Sequence, residues 1–298
     1  LVPVITSVIT QQLALVIVLQ LLTGFLHTIG WIGCQTQIGQ LTRGSPKHMG
    51  RFTSITNFSS FFTPPLAGWA WDIGQASGIG GAWPAFGVIV VLNILLWISV
   101  SLMPIPQSVP LPKGPPSLRA LLPSLLDYKE AFGLFLIPTV AFVVIGSFLM
   151  NGVIQVRMNF LSLYMESVGY EGRIIGFVSG FAFFVAGVTA LQTEQAKRHL
   201  APYWIVVFMV LLTAAANGIV PLFEAIPGLI LTTILFGIGV GLGMAFVLTL
   251  LSRSVPVSQF GLSVGLRTTG NRFGATILPP IAGFAIDFAG GDFGAGFT

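Results

Sequence analysis

Charged side chains are scarce in this chain. Asp, Glu, Lys and Arg make up 7% of the 298 residues, whereas hydrophobic residues make up 54%. In soluble domains about a quarter of the residues are charged, because their surface must be solvated. No water-soluble fold of this length could hide so much apolar surface. The composition therefore indicates a protein that lies in a lipid bilayer.

Cysteine is nearly missing as well, and so is any cluster of reactive groups. Cys34 is the single cysteine, which excludes an intrachain disulfide and a cysteine-based metal site. The net charge of +4 rests on only 13 basic residues and does not point to nucleic acid. No metal cluster, catalytic triad, nucleotide motif or signal peptide is visible. We therefore expect no metal, no cofactor and no enzymatic activity.

Long apolar runs are abundant instead. A membrane helix needs about 20 apolar residues. On that scale the sequence predicts eight full spans, which follow the end of an earlier span at residues 1–9. The predicted spans are 12–40, 50–70, 83–103, 132–165, 172–192, 202–222, 226–251 and 260–288.

One long polar segment, residues 104–131, interrupts these spans. It is rich in proline and predicts an extended linker between an N-terminal part, residues 1–103, and a C-terminal part, residues 132–298. Basic residues concentrate in the linker and in every second loop, and acidic residues dominate the alternate loops. Positively charged loops stay in the cytoplasm. We therefore expect a multi-pass protein of the plasma membrane with a cytoplasmic linker.

Two segments of the chain are similar to each other. Residues 58–74 read FSSFFTPPLAGWAWDIG, and residues 273–289 read FGATILPPIAGFAIDFA. Phe, Pro-Pro, Ala-Gly, Ala and Asp occupy the same places in both copies. Such a repeat indicates a chain built from two similar halves. In an apolar chain it is typical of a transporter whose binding site lies between the halves.

The repeat and several shorter motifs resemble the major facilitator superfamily of transporters. The motifs are Gly24 in the first full span, the basic loop Arg43 to Arg51, Pro65-Leu66-Ala67-Gly68, Gly81-Ala82-Trp83-Pro84-Ala85-Phe86, and Tyr164 to Gly169 followed by Ile175-Gly176. The resemblance implies an all-α membrane protein with two pseudo-symmetric helix bundles, truncated at both ends. On that template the chain runs from the end of family helix 3 to family helix 11, without helices 1, 2 and 12.

Strongly polar side chains inside a membrane are costly, so those within the predicted spans are functional candidates. We expect the substrate or proton pathway to include His27, Asn151, Gln155, Arg157, Asn271 and Arg272. An imidazole exchanges protons readily near neutral pH. His27 therefore either carries a coupling proton, binds substrate, or donates one hydrogen bond between helices.

The three arginines in the spans leave alternatives open. Arg157 either holds an anionic substrate through two hydrogen bonds or reaches the outer surface, where Glu166 can pair with it. Arg272 lies near mid-depth, and no predicted span offers a carboxylate there. A missing helix, the substrate or water must then compensate its charge. Arg267 lies nearer the cytoplasmic end, where a structural tie between the bundles is favoured.

A second set of candidates belongs to the interface between the bundles. Proline frees a backbone carbonyl and bends a helix, and small residues let two helices approach closely. The set consists of Pro64, Pro65, Gly68, Arg267, Pro279, Pro280 and Gly283. Because Gly68 and Gly283 occupy equivalent places in the repeat, we expect them to act alike.

These observations predict a secondary active transporter that moves a small organic solute by alternating access. The family resemblance suggests proton-coupled efflux of a drug-like compound. The three arginines favour the alternative of an organic-anion or metabolite permease. A non-transporting membrane sensor or binding scaffold is the alternative of another class. The expected partners are a small-molecule substrate, protons and the lipid bilayer, and the chain is expected to be a monomer.

The predicted topology can be tested by labelling single cysteines in a Cys34→Ala background. A cysteine that replaces Glu171 should react with a membrane-impermeant thiol reagent in intact cells, because its loop is predicted to be external. A cysteine that replaces Lys113 should react only after the cells are opened. Labelling of position 113 in intact cells would reverse the predicted orientation.

Overall fold

The chain folds as a set of helices. The structure, a computed structural model, describes residues 13–42, 45–102 and 125–288, and all regular structure within these ranges is helical. The helices are α1 (Leu13–Thr42), α2 (Pro46–Ala76), α3 (Ala82–Ser101), α4 (Leu125–Gly133), α5 (Pro138–Ser167), α6 (Gly172–Leu191), α7 (Thr193–His199), α8 (Pro202–Gly218), α9 (Ile226–Ser254) and α10 (Val257–Phe288). One-turn 3₁₀ helices precede α5 at Leu134–Leu136 and follow α8 at Val220–Leu222.

The long helices coincide with the predicted spans. Each of the eight long helices coincides over most of its length with one of the eight spans expected from the sequence, whereas the short α4 and α7 lie largely or wholly outside them. Five helices in the described ranges are long and apolar enough to cross a membrane: α3, α5, α6, α9, and α8 with the turn that follows it. The chain is thus an all-α protein with several helices suited to a bilayer. The partial span expected at residues 1–9 lies outside the described residues.

The predicted linker is described only at its end. Residues 103–124 fall outside the described ranges, whereas α4 begins at Leu125. The structure differs here from the expectation of an extended segment up to residue 131. The physical reason is local, because the segment LLDYKEAF contains no proline and consists largely of residues with fair helix propensity.

Local sequence signals set several helix ends. Proline occupies the first position of α2, α5 and α8, where no backbone N–H is needed. At the end of α5 the N–H of Tyr170 donates to the carbonyl of Met165 at 3.0 Å, and the N–H of Gly169 donates to that of Glu166 at 2.9 Å. This pattern is a Schellman motif. It requires the positive φ of 94° that Gly169 adopts.

The hydrophobic core lies within the C-terminal part of the chain. Its clusters of buried side chains come from the stretch between Leu134 and Leu266. Helix α9 is central to this core, and its Phe236 and Phe246 are almost completely buried. Helices α1 and α3 instead expose large apolar side chains, for example Leu26 and Trp97. Lipid stabilises such a surface, whereas water does not.

The N-terminal part meets the core through a tight contact between α2 and α6. A Cβ atom added to Gly68 would overlap the backbone carbonyl of Gly172. A Cβ added to Gly180 would lie 2.6 Å from the carbonyl oxygen of Phe61 and 2.8 Å from Cδ of Pro65. Glycine at these positions lets the two backbones touch. The contact runs past the proline pair of α2, and the helix continues through that pair.

A carboxylate fastens one end of this contact. Asp72 Oδ1 accepts a hydrogen bond from the backbone N–H of Gly172 at 3.1 Å, and Oδ2 accepts one from that of Arg173 at 2.8 Å. These N–H groups belong to the first turn of α6 and have no partner within their own helix. A negative charge is also favourable at a helix N-terminus. Asp72, on α2, therefore caps α6.

The second copy of the repeat has a different environment. A Cβ added to Gly283 would meet only Cζ of Phe160, at 3.9 Å. Asp287 is exposed. Helix α10 packs on α5 instead, where a Cβ added to Gly152 would lie 2.8 Å from Cγ of Leu278. In the described part of the chain, no helix covers Gly283 as α6 covers Gly68, so the expected equivalence of the two glycines does not extend to their neighbours.

The α2–α6 contact can be tested with one glycine substitution and a matched control. Gly68→Ala should lower the free energy of unfolding by about 1–3 kcal/mol, because the added methyl group overpacks the contact. Gly87 on α3 has open space around its Cα. Gly87→Ala should be neutral or stabilise the protein by up to about 1 kcal/mol through helix propensity. Thermal unfolding in detergent measures both. Identical melting temperatures for the two variants would mean that α2 and α6 do not touch at Gly68.

Candidate functional site

A small cavity lies between the two parts of the chain. Its volume is about 200 Å³. Helices α1 and α2 line it from the N-terminal part, and α5, α6 and α9 line it from the C-terminal part. The cavity therefore exists only because the two parts come together.

The lining of the cavity combines neutral polar groups with aromatic rings. Gln35, Asn57 and Asn151 contribute amides, and Trp31 and Phe236 contribute rings. The described residues that line it include no acidic and no basic side chain. A mostly apolar wall with a few fixed polar groups is the usual composition of a site for a small organic molecule.

A buried arginine stands directly behind Gln35. Arg267 of α10 is 0% exposed, and its Nη2 donates a hydrogen bond to Gln35 Oε1 of α1. A guanidinium group only donates, so the oxygen of the amide must face it. Within the described ranges, Arg267 Nε and Nη1 and Gln35 Nε2 have no hydrogen-bond acceptor. The pair ties the two parts of the chain together beside the cavity and leaves three nitrogen atoms unsatisfied.

A second buried arginine stands behind Phe236. Arg157 of α5 is 0% exposed. It donates hydrogen bonds to Asn217 Oδ1 at 3.2 Å, Thr232 Oγ1 at 3.3 Å and Thr233 Oγ1 at 2.8 Å. Its Cζ lies 4.7 Å from the ring centroid of Phe236, which is a cation–π contact. The aromatic ring therefore separates a positive charge from the cavity that it lines.

The acceptors around Arg157 are oriented by their own helices. Thr232 and Thr233 each donate their hydroxyl proton to the carbonyl of Leu229, at 2.9 and 2.7 Å, which leaves their lone pairs for the guanidinium. Asn217 Nδ2 donates to the carbonyl of Val153 at 2.9 Å, which turns the amide oxygen toward Arg157. All three acceptors are neutral dipoles.

Neither buried arginine has an anionic partner in the part of the chain that the structure describes. The ion pair found there joins Arg173 to Glu171, and both are exposed. Burial of an ion costs several kcal/mol even after the protein relaxes. Two unit charges 4 Å apart still interact by about 4 kcal/mol at an effective dielectric constant of 20. Two guanidinium groups behind a neutral lining therefore each contribute a positive electrostatic potential to the cavity.

Two of the residues expected in the pathway, Asn151 and Arg157, lie at or behind this cavity. Asn151 lines it, and its Nδ2 donates to the backbone carbonyl of Asn271 at 2.8 Å, which joins α5 to α10. Arg157 is buried behind the lining and does not pair with Glu166. Gln155 lies on the same helix and is half-buried.

Two other expected residues lie outside the cavity. His27 is exposed and stacks on Trp31 with ring centroids 6.5 Å apart. Trp31 lines the cavity, so His27 touches the site only through this ring. Arg272 is exposed, and its Nη2 donates to Thr28 Oγ1 at 3.3 Å. Arg272 and Thr28 line a separate pocket of about 270 Å³ between α1 and α10.

The residues expected at the bundle interface fall into two groups. Pro64, Pro65 and Gly68 lie in the contact between α2 and α6, and Arg267 joins α10 to α1. Pro279, Pro280 and Gly283 lie on α10, which continues through its proline pair. Of this second group, Gly283 lies near Phe160 of α5 in the C-terminal part.

Three features of the site were not singled out from the sequence: Gln35, Asn217 and the pair Thr232–Thr233. The signal that identified His27, a polar side chain within an apolar span, also applies to Gln35 and Asn217. It does not show toward which neighbour a side chain points. The Asp72 cap on α6 also could not be predicted, because nearly every residue has a backbone N–H and the sequence does not show which of them a distant carboxylate will meet.

No protein-family model, no curated protein and no solved structure matches the chain. What the site does must be inferred from its residues and its geometry.

The role of Asn217 can be tested against a second asparagine. Asn217→Ala should destabilise the protein by about 1–3 kcal/mol, because it removes an acceptor from a buried guanidinium. Asn93 on α3 is exposed and donates only to the carbonyl of Ile89 in its own helix. Asn93→Ala should change the free energy of unfolding by less than about 0.5 kcal/mol. Thermal unfolding of both variants measures these changes. An equal loss of stability in the two variants would mean that Asn217 does not stabilise the buried Arg157.

Proposed function

We propose that the chain is a secondary active transporter of the major facilitator type, which moves a small organic solute by alternating access. The observation that carries this proposal is the cavity between the two parts of the chain, because both parts supply its lining. A site shared by two movable bodies can open first to one side and then to the other.

Close helix contacts on both sides of the cavity support this proposal. At one end Asp72 and Gly68 of α2 meet the start of α6. At the other end a Cβ added to Gly39 of α1 would overlap the ring of Phe260 at the start of α10. Contacts of this kind are small enough to break and re-form as the bodies rock. The proline pairs of α2 and α10 supply the bends for this motion.

The proposal also covers the coupling ion, the membrane in which the protein lies and the size of the solute. Protons are the proposed coupling ion, with His27 beside Trp31 as the candidate carrier. The orientation of the basic loops supports a plasma-membrane protein whose linker is cytoplasmic. The cavity is smaller than the 300–1,000 Å³ or so typical of sites for drug-sized ligands. This favours a metabolite-sized solute over a bulky drug.

Solute flux tests the proposal directly. The purified full-length protein in proteoliposomes should accumulate or release a small organic solute faster than protein-free vesicles, and an imposed pH gradient should raise the rate. Gly68→Leu should lower the flux, since the bulky side chain locks the α2–α6 contact, whereas Gly87→Leu should not. Specific binding of solutes without flux of any of them would favour a sensor or binding scaffold instead.

The Asp72 cap should control access to the cavity. Loss of a helix N-cap costs about 1 kcal/mol, and this shifts a two-state equilibrium roughly fivefold. Asp72→Ala should therefore raise several-fold the rate at which a cysteine at Ser60, in the cavity lining, reacts with thiol reagent added from the Asp72 side. Asp287→Ala is the matched control from the second repeat. If Asp72→Ala leaves the labelling rate unchanged, the cap is not part of a gate.

A further inference from the structure

We infer that the cavity between the two parts of the chain binds a small organic anion, namely a carboxylate with an apolar or aromatic body. This inference names the substrate class of the proposed transporter, and it rests on that proposed function. It concerns binding, however, and can be tested without any measurement of transport.

The first observation is the unbalanced charge beside the cavity. Arg267 contacts Gln35 and Arg157 contacts Phe236, and both contacted residues line the cavity. Both guanidinium groups are 0% exposed and have only neutral partners within the described ranges. Buried charges in proteins are nearly always compensated. A ligand with one negative charge supplies part of that compensation, whereas a cation adds a third positive charge.

The second observation is an excess of unsatisfied donors. Seven buried polar atoms lack a partner in the described part of the chain. Four are nitrogen donors of Gln35, Arg157 and Arg267, two are the hydroxyl oxygens of Thr36 and Ser147, which can donate or accept, and one is a carbonyl oxygen, Asn271 Oδ1. Native proteins rarely leave buried donors unpaired. Of these donors only Gln35 Nε2 belongs to a residue that lines the cavity, so a ligand that enters the cavity should supply the acceptor for this amide.

Gln35 is the group through which the anion would be held. Its side chain is 2% exposed and lines the cavity. Its oxygen is engaged by Arg267, so its two N–H groups are its free hydrogen-bonding capacity. A carboxylate oxygen that accepts from this amide lies one residue away from the guanidinium charge. Arg267 then acts as a positioning residue, which fixes the amide and contributes its field.

The apolar lining of the cavity determines the chemical nature and the size of the rest of the ligand, beyond its carboxylate. Trp31, Phe52, Phe183 and Phe236 offer aromatic surface around the cavity. Burial of apolar area favours a ligand with a hydrophobic body. The volume of about 200 Å³ limits that body to roughly one ring or a short branched chain.

Three small probes of the same shape and different charge test this inference. Benzoate, benzamide and benzylammonium should be titrated calorimetrically into the purified full-length protein in detergent at neutral pH. Benzoate should bind at least about tenfold more tightly than benzamide, which corresponds to about 1.4 kcal/mol, and benzylammonium should bind most weakly. Equal or tighter binding of benzamide or benzylammonium overturns the inference, and so does the absence of binding by all three.

Variants distinguish the effect of the arginine charge on binding from a general loss of folding or of binding capacity. Arg267→Gln should weaken benzoate binding at least about tenfold and leave benzamide binding unchanged. Arg267→Lys, which keeps the charge, should recover part of the loss. Arg253→Gln removes an exposed charge at the end of α9 and should change nothing. If Arg267→Gln does not fold, as judged by gel filtration, Gln35→Leu removes the contact group instead and should weaken benzoate binding at least about tenfold.

The outcomes for binding and for transport can be told apart. Benzoate binding that depends on Arg267, without benzoate flux in proteoliposomes, supports the anion site and contradicts the transporter. Flux of a neutral or cationic solute, with no preference for benzoate in the titrations, supports the transporter and contradicts the anion site. Unchanged benzoate affinity in Arg267→Gln, Arg157→Gln and Gln35→Leu together places any bound benzoate elsewhere.

Discussion

The rest of the structure depends on the backbone contact between α2 and α6. The hydrophobic core belongs to the C-terminal helices, and α1 to α3 have little buried surface of their own. The two parts are held together chiefly where Gly68 meets Gly172 and where the proline pair of α2 faces Gly176 and Gly180. Dispersion between closely packed backbones is the main attraction available in lipid, where the hydrophobic effect between helices is weak. Without this contact α2 would lose its main packing partner, and the cavity would lose the part of its wall that α2 provides.

The side chains that face the cavity in the described part of the chain carry no charge, whereas the layer of residues behind them does. Amides and aromatic rings face the cavity, while the full charges of Arg157 and Arg267 lie one residue deeper. In the transporter that we propose, this arrangement would separate two conflicting demands. A charge in direct contact binds a ligand tightly and releases it slowly. A charge behind an amide or a ring selects the sign of the ligand with a weaker hold, which suits a molecule that must leave.

The sequence predicts the helices of this protein far better than it predicts their neighbours. Apolar length alone placed the long helices, because a membrane segment needs little else. The internal repeat identified Gly68 as an interface residue, but it also suggested an equal role for Gly283, which lies in a more open place. Asn217 and Thr233 illustrate why contacts between distant segments cannot be predicted from the sequence. They meet Arg157 from segments 60 and 76 residues away, and only the three-dimensional packing decides which face each presents.

The cap on α6 is made with the backbone, and this has a consequence for how the chain can vary. The donors at positions 172 and 173 are main-chain N–H groups, which every amino acid except proline provides. A substitution at position 173 can therefore alter the surrounding surface and leave its donor in place, whereas a Cβ at position 172 would lie only 2.7 Å from Asp72 Oδ1 and so favours glycine there. The cap depends on the carboxylate of Asp72, which supplies both acceptor oxygens. Homologous sequences should therefore tolerate changes at position 173 more readily than at position 72.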